Sequence, residues 1–311
     1  MSNICVFGMG GIGGYATARF VAAKNAEPKD GLSVSCVARG ESLKVLSEKG
    51  LRFRSPDGQE DLCRPDLVTD NPGSLPKQDL IILGVKSYDL AAACSAINAI
   101  VTPNTVIIPL LNGVDIYERI RASLSSGIVL SACIYISALR QEPGLIVHVG
   151  GKGNILCGGD PQHKEFNPAS LISLMEKAGI PFEWQTDPAP ALWKKYLFIA
   201  SYGLITAMSG KPFGAILESP ELSAATQSVM KEIYNIAAAK GVELPDSIVT
   251  ASFENARNFP YETTTSFARD VQGPGKSNES DIFGATILRM GEELGIPTPA
   301  AKAAHEAIAK K

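Results

Sequence analysis

Residues 8 to 13 read Gly8-Met9-Gly10-Gly11-Ile12-Gly13, glycines at the spacing G-x-G-x-x-G directly after the apolar run Ile4-Cys-Val-Phe7. That arrangement suits one task, holding a pyrophosphate with backbone. Gly8 allows a tight turn after a strand, Gly10 lets the backbone approach the phosphates without a Cβ in the way, and Gly13 lets the following helix pack close to the sheet. The helix N-terminus then offers N–H groups and a positive dipole end to the anion. Alone the motif is weak, because 29 of 311 residues are glycine. Its context strengthens it. The amphipathic run Tyr15 to Lys24 predicts a helix and Leu32 to Ala38 a second strand, which completes the βαβ unit that a dinucleotide site requires.

The end of the second strand bears on the cofactor. An Asp or Glu there would hold a ribose 2′-hydroxyl. Here Arg39 stands at that end, after a loop lengthened by residues 25 to 31. A guanidinium suits a 2′-phosphate, so NADPH/NADP+ is expected rather than NADH. Glu41 is the rival, two residues further on. In doubly wound sheets ligands collect outside the carboxyl ends of the strands. Two more polar residues fall at such ends. Lys86, after the strand Asp79 to Val85, could reach a cofactor phosphate or the adenine edge. Asn112, after Thr105 to Leu111, could hydrogen-bond the nicotinamide ribose or the substrate. Read singly, each is equally a loop lysine and half of an Asn-Gly turn.

Hydride transfer to a ketone leaves negative charge on oxygen and needs a donor that can also deliver a proton. The pair Lys194-Lys195 opens an otherwise apolar helix, where two lysines cannot both be buried cheaply. One is expected to face solvent and the other a site. Composition does not choose between them.

The elements that must position these residues divide into two stretches. Up to residue 187 strands and helices alternate, the signature of a doubly wound α/β domain. Ile116 to Leu124 reads as a helix, Ile128 to Ser137 as one strand, Gly144 to Gly150 and Asn154 to Cys157 as a strand pair, and Asn167 to Ala178 as a helix before the strand Phe182 to Trp184. From 188 to 311 the strands vanish. Pro190 to Met208 is apolar all round and reads as a buried helix. Pro220 to Lys240, Pro245 to Phe259, Asn278 to Leu294 and Pro299 to Lys311 supply four more. The expected fold class is therefore α/β, a Rossmann-type domain over 1–187 followed by an all-helical substrate domain over 188–311.

Composition narrows the partners. The chain is 45% hydrophobic and 20% charged, with net charge −3. It has no basic run, so nucleic acid is not expected, and no apolar stretch of membrane-spanning length. A strand beginning at residue 4 leaves no room for a targeting segment, and the six cysteines lack CxxC spacing and sit among apolar residues, so a reduced, cytoplasmic setting is expected. The three histidines, His148, His163 and His305, form no metal-ligand spacing, and no metal is expected.

Six motifs in order resemble the ketopantoate reductases (2-dehydropantoate 2-reductases) along essentially the whole chain. They are Gly8 to Gly13, Val85-Lys86-Ser-Tyr, Leu111-Asn112-Gly113, Trp193-x-Lys195, Thr264-Thr-Ser266-Phe-Ala-Arg-Asp270 and Glu279-Ser-Asp-Ile-Phe-Gly284. The resemblance implies a Rossmann domain and a helical domain with NADPH and a 2-oxo acid between them, and reduction of 2-dehydropantoate to pantoate in pantothenate synthesis. It selects Lys195 as the general acid on the keto oxygen. It makes Asn112 and Glu279 its catalytic neighbours and Ser266 the residue for the substrate carboxylate. Arg39, Lys86 and Ala138 join Gly8, Met9, Gly10, Gly11, Ile12 and Gly13 as cofactor contacts. Where the family carries asparagines along the lysine helix and the turn after it, this chain has Ile199, Gly203 and Phe213, and its loop before Glu279 is one residue longer. Such losses relax or redirect specificity. They keep two alternatives in view, a different 2-oxo acid and a non-catalytic NADP(H)-binding sensor. A 6-phosphogluconate-type dehydrogenase shares the two-domain plan, but the apolar site candidates do not suit its acidic substrate. A homodimer and a monomer both remain open.

Overall fold

Asn3–Phe7, Leu80–Leu83 and Val106–Pro109 are short apolar runs buried on both faces, as central strands of a parallel sheet must be. They belong to a computed structural model that describes residues 1–273 and 277–310. The chain divides into two compact units, Met1–Leu111 with Ile116–Pro188, and Asn112–Asp115 with Ala189–Lys311.

In chain order the first unit contains β1 (Asn3–Phe7), α1 (Gly11–Ala26), β2 (Ser33–Val37), α2 (Gly40–Lys49), β3 (Leu51–Arg54), β4 (Glu60–Cys63), β5 (Leu67–Thr69) and β6 (Leu80–Leu83). It continues with α3 (Leu90–Ile97), β7 (Val106–Pro109), α4 (Ile116–Arg121), β8 (Ile128–Val129), β9 (Ser131–Glu142), β10 (Leu145–Gly158), α5 (Ala169–Lys177) and β11 (Phe182–Gln185). Six strands form a parallel sheet in the order β5-β2-β1-β6-β7-β8. The order reverses direction at β1, which makes the crevice beyond its carboxyl end the place for a ligand. A second sheet runs β11-β10-β3-β4, with β9 antiparallel to β10.

The second sheet adds to the doubly wound sheet expected and changes two of the strand readings. The run from Ile128 to Ser137 is not one strand. It breaks at Leu130, and the chain leaves the parallel sheet with β8 and enters the second with β9. The two strands expected at Gly144–Gly150 and Asn154–Cys157 are instead the single strand β10, with register shifts around Gly150. The helix α1 lies against strands of both sheets. It is therefore buried on most of its circumference, through Tyr15, Ala16, Thr17, Phe20 and Val21 among others, rather than along one stripe.

One carboxylate secures the switch between sheets. Asp160, just past β10, accepts from the Tyr117 hydroxyl (2.8 Å), the Gln162 N–H (2.9 Å) and the Val129 N–H (2.9 Å), and pairs with Arg121. Burial alone would raise its pKa. The hydrogen bonds from Gln162, Tyr117 and Val129, with the Arg121 charge, outweigh that and hold it below the usual carboxylate range.

The second unit is helical, with α6 (Ala189–Ser209), α7 (Phe213–Glu218), α8 (Pro220–Ala239), α9 (Ile248–Glu254), α10 (Ser266–Gln272), one π-turn (Asp281–Ala285), α11 (Thr286–Leu294) and α12 (Pro299–Ala309). The apolar α6 is the central helix, flanked by α8, α9, α10 and α12. Glu232 of α8 caps α12 in trans, accepting from the N–H groups of Ala300 (2.7 Å) and Ala301 (2.9 Å). Pro299 opens that helix, at the one position where a missing N–H costs nothing. No described helix is long and apolar enough to cross a membrane.

Replacing Asp160 by Ala should cost about 3–5 kcal/mol near neutral pH, because Arg121 is left buried without its partner. A carboxylate held low in the fold contributes stability above its unfolded pKa and loses it as pH falls through the folded value. The gap between wild type and Asp160→Ala in urea unfolding should therefore be full at about pH 7 and shrink below about pH 3. An equal gap at both pH values would contradict this account.

Candidate active site

The glycine loop is a cradle with almost no side chains. Gly8 has φ +95°, a left-handed conformation open to glycine, and its N–H donates to the Val37 carbonyl (3.1 Å). A Cβ on Gly13 would lie 1.9 Å from the Gly8 carbonyl oxygen, and one on Gly11 would lie 2.1 Å from that of Ala138. A Cβ on Gly10 would meet nothing within 4 Å, so this side of the loop is open. Gly10 stands at the N-cap of α1 without a side-chain cap, and three of the four residues of the first turn, Gly11 to Gly14, are glycine. Met9 is buried and accepts from the Thr17 hydroxyl (3.5 Å), while Ile12 packs on the core. The open face at Gly10, beside a helix start that carries no side-chain cap, fits a dinucleotide pyrophosphate.

Three adjacent strands, β2, β1 and β6, deliver Arg39, the glycine loop and Lys86 from their carboxyl ends. Arg39 is exposed and occupies the N-cap position of α2, and Glu41 is exposed in that helix's first turn. Lys86 is half-buried and begins the turn Ser87–Asp89. Ala138, on β9, presents its backbone to Gly11.

In the helical unit, Lys195 and Asn112 meet. The Lys195 Nζ donates to Asn112 Oδ1 at 3.1 Å. Lys195 lies in the second turn of α6 and is half-buried, whereas Lys194 is exposed. The segment carrying Asn112 is itself held in place. Three residues on, buried Asp115 accepts from Thr286 (3.3 Å) and Arg289 (2.8 Å) of α11. The Asn112 oxygen takes one of the three N–H donors of the ammonium and leaves its charge intact. A lysine so held can donate to a carbonyl oxygen and pass it a proton.

Glu279 is buried, and its backbone carbonyl accepts from the N–H groups of Ile282 and Phe283 (both 3.1 Å) at the entry to the π-turn. The Tyr196 hydroxyl, one residue after Lys195, donates to the Ile282 carbonyl (2.6 Å) and ties this turn to α6. Ser266 is exposed at the start of α10. Its neighbour Thr265 caps that helix and shares a 2.8 Å hydrogen bond with Thr206 of α6. Sequence reasoning passed over Thr206, Thr265, Asp115 and Tyr196. Of these only Thr265 carried a local signal, a threonine immediately ahead of a helical run. Residues 274–276 of the loop before Glu279 lie outside the described residues, and so does the expected insertion.

The three positions where asparagine was expected are apolar in place as well as in type. Ile199 is half-buried one turn beyond Lys195, on the same side of α6. Phe213 is buried in an aromatic group with Tyr202 (ring centroids 4.6 Å apart), Phe259 (5.7 Å) and Phe198 (5.9 Å). A Cβ at Gly203 would touch the rings of Phe267 and Phe283 at 3.6 Å. All six cysteines are buried, and burial pushes the Cys36 thiol up to about 12 despite the Thr17 hydrogen bond.

Comparison with known proteins agrees with this architecture. The family profile described as "Ketopantoate reductase PanE/ApbA" matches residues 4–161, and "Ketopantoate reductase PanE/ApbA C terminal" matches residues 188–311. An uncharacterized oxidoreductase, YkpB of Bacillus subtilis, is 26% identical over 94% of this chain and 93% of its own length. A 2-dehydropantoate 2-reductase of Halobacterium salinarum is 27% identical over 83% of this chain and 84% of its own. The crystal structure of a PanE/ApbA family ketopantoate reductase from Ralstonia eutropha superposes with a TM-score of 0.88 at 26% identity, covering 99% of this chain and 97% of that one. With both halves matched, the chain belongs to the ketopantoate reductase family and is an oxidoreductase acting on a C=O/CH–OH pair.

Proposed function

We propose that the protein is an NADPH-dependent reductase of a 2-oxo acid, with 2-dehydropantoate, reduced to pantoate as in pantothenate biosynthesis, as its nominal substrate. The observation that carries the reading is the Lys195–Asn112 pair at 3.1 Å, a cation held on a polar partner in an otherwise apolar helix. The Halobacterium relative named for this reaction supports it. Residues Gly8 to Gly13 and the Ala138 backbone would hold the cofactor diphosphate, with Arg39 and Lys86 on the adenosine phosphate. When bound, NADPH supplies the hydride.

The chain's own residues govern the oxygen. Lys195 donates to the keto oxygen, stabilises the charge that develops there as hydride reaches the carbon, and transfers a proton from Nζ to that oxygen. The lysine, left neutral, is reprotonated from solvent. Asn112 orients the ammonium, Glu279 completes the polar environment of the lysine, and the Ser266 hydroxyl receives the substrate carboxylate. A different 2-oxo acid is the second reading, favoured by half-buried Ile199 one turn from Lys195. An apolar surface there has no donor or acceptor for a substrate hydroxyl.

Two outcomes follow, measured as NADPH oxidation at the nicotinamide absorption band. Lys195→Ala should lower kcat by about a hundredfold or more while Lys194→Ala stays near wild type, since only the first removes the proton donor. No oxidation with any 2-oxo acid by the wild type, but intact NADPH binding, would favour the sensor reading instead. In addition, 2-dehydropantoate and its analogue lacking the hydroxyl should differ in kcat/KM by less than about tenfold, because an apolar wall rejects neither strongly. Ile199→Asn should widen that ratio towards the hydroxylated acid. A wild type that already prefers the hydroxyl by about a thousandfold would show that another group reads it.

A further inference from the structure

The strand β9 passes two features suited to phosphate. Ala138 places its carbonyl against Gly11 at the start of α1. Two residues on, Arg140 reaches α2, where its guanidinium donates to the Ser42 hydroxyl at 3.0 Å. Residues i and i+2 of a strand share a face and lie about 7 Å apart. Ser42 is one helical turn beyond Arg39, the N-cap residue of α2. The strand thus runs from the pyrophosphate loop to the turn that carries the candidate 2′-phosphate residue.

The charges on that turn are not neutralised by the protein. Among the described residues, neither Arg39 nor Arg140 forms an ion pair, and Glu41 pairs with neither. Other arginines near this turn are paired. Arg52 and Arg54, on neighbouring β3, are half-exposed and pair with Glu60 and Glu142. Ser42 is only 7% exposed, so its hydroxyl fixes one end of an otherwise solvent-facing guanidinium. A phosphate dianion has more acceptor sites than one arginine fork can fill, and a second guanidinium binds what the first leaves.

We propose that Arg140, positioned by Ser42, is a second guanidinium for the 2′-phosphate of the nucleotide, so that cofactor choice rests on Arg39 and Arg140 together. The inference rests on the NADPH reading above. A ribose 2′-hydroxyl offers a guanidinium no charge to match, so Arg140 acts on NADPH and leaves NADH nearly untouched.

The test titrates the full-length protein with NADPH and NADH, following nicotinamide fluorescence, and with 2′,5′-ADP and 5′-AMP as probes of the phosphate, by calorimetry. Arg140→Ala should weaken NADPH and 2′,5′-ADP about tenfold and leave NADH and 5′-AMP within about twofold. Arg140→Lys should recover part of the loss, because it keeps the charge without the fork. Ser42→Ala should show a smaller loss of the same kind, about threefold, with retained NADH binding reporting an intact fold. A wild type that binds NADPH and NADH alike would overturn both the cofactor reading and this assignment. A wild type that prefers NADPH, with an Arg140→Ala variant that keeps the preference or loses both cofactors equally, would overturn the assignment alone.

Discussion

The first turn of α1 is wedged between two sheets, and the glycines make that possible. On one side Gly13 touches the carbonyl of Gly8, at the end of β1. On the other, a Cβ at Gly11 would overlap the Ala138 carbonyl, and one at Gly14 would lie 2.2 Å from Ile146 of β10. Side chains would push the helix off one sheet or the other. The same bareness leaves N–H groups at the helix start, so a single packing constraint both builds the first unit and leaves a helix end that an anion would fit. The second sheet is what the motif alone does not reveal. It supplies the wall behind Gly11 and brings β9 past the loop.

What was legible in the residues was local. The glycine spacing, the buried strands Leu80–Leu83 and Val106–Pro109, and the change from alternating elements to helices after residue 187 all follow from short-range pattern. The helices α2, α7 and α10 and the strands β4 and β5 went unread, being ten residues or fewer. The break at Leu130 escaped notice because residues on both sides favour strand, and only the pairing partner changes. Lys195 and Lys194 are indistinguishable to composition. What separates them is a contact with Asn112, 83 residues away. The family resemblance chose between them by motif position, not by any physical difference between the two side chains.

The helical unit keeps its polar ties and its apolar packing in separate groups along α6. The lysine depends on Asn112 and on the ties from Tyr196 and Asp115, all of which are polar. The positions along the rest of α6 and at the start of α7 are filled by Ile199, the space at Gly203 and the aromatic group around Phe213. These groups pack well, and the one hydroxyl in the aromatic group, that of Tyr202, is taken by the Phe253 carbonyl (2.9 Å). On the reading proposed above, such a surface would tolerate changes of substrate shape more readily than changes of charge.

The short stretch Asn112–Asp115 groups with the helical unit, although the chain on both sides of it belongs to the sheet unit. The backbone consequently crosses from one unit to the other three times rather than once. A gene cut near residue 188 would not yield two self-sufficient halves. The helical fragment would lack the acceptor for its lysine and the carboxylate that Arg289 holds, and the other fragment would carry both as a stranded loop. Exchanging the helical unit between relatives thus calls for a two-segment graft in which the four residues after Leu111 travel with Lys195.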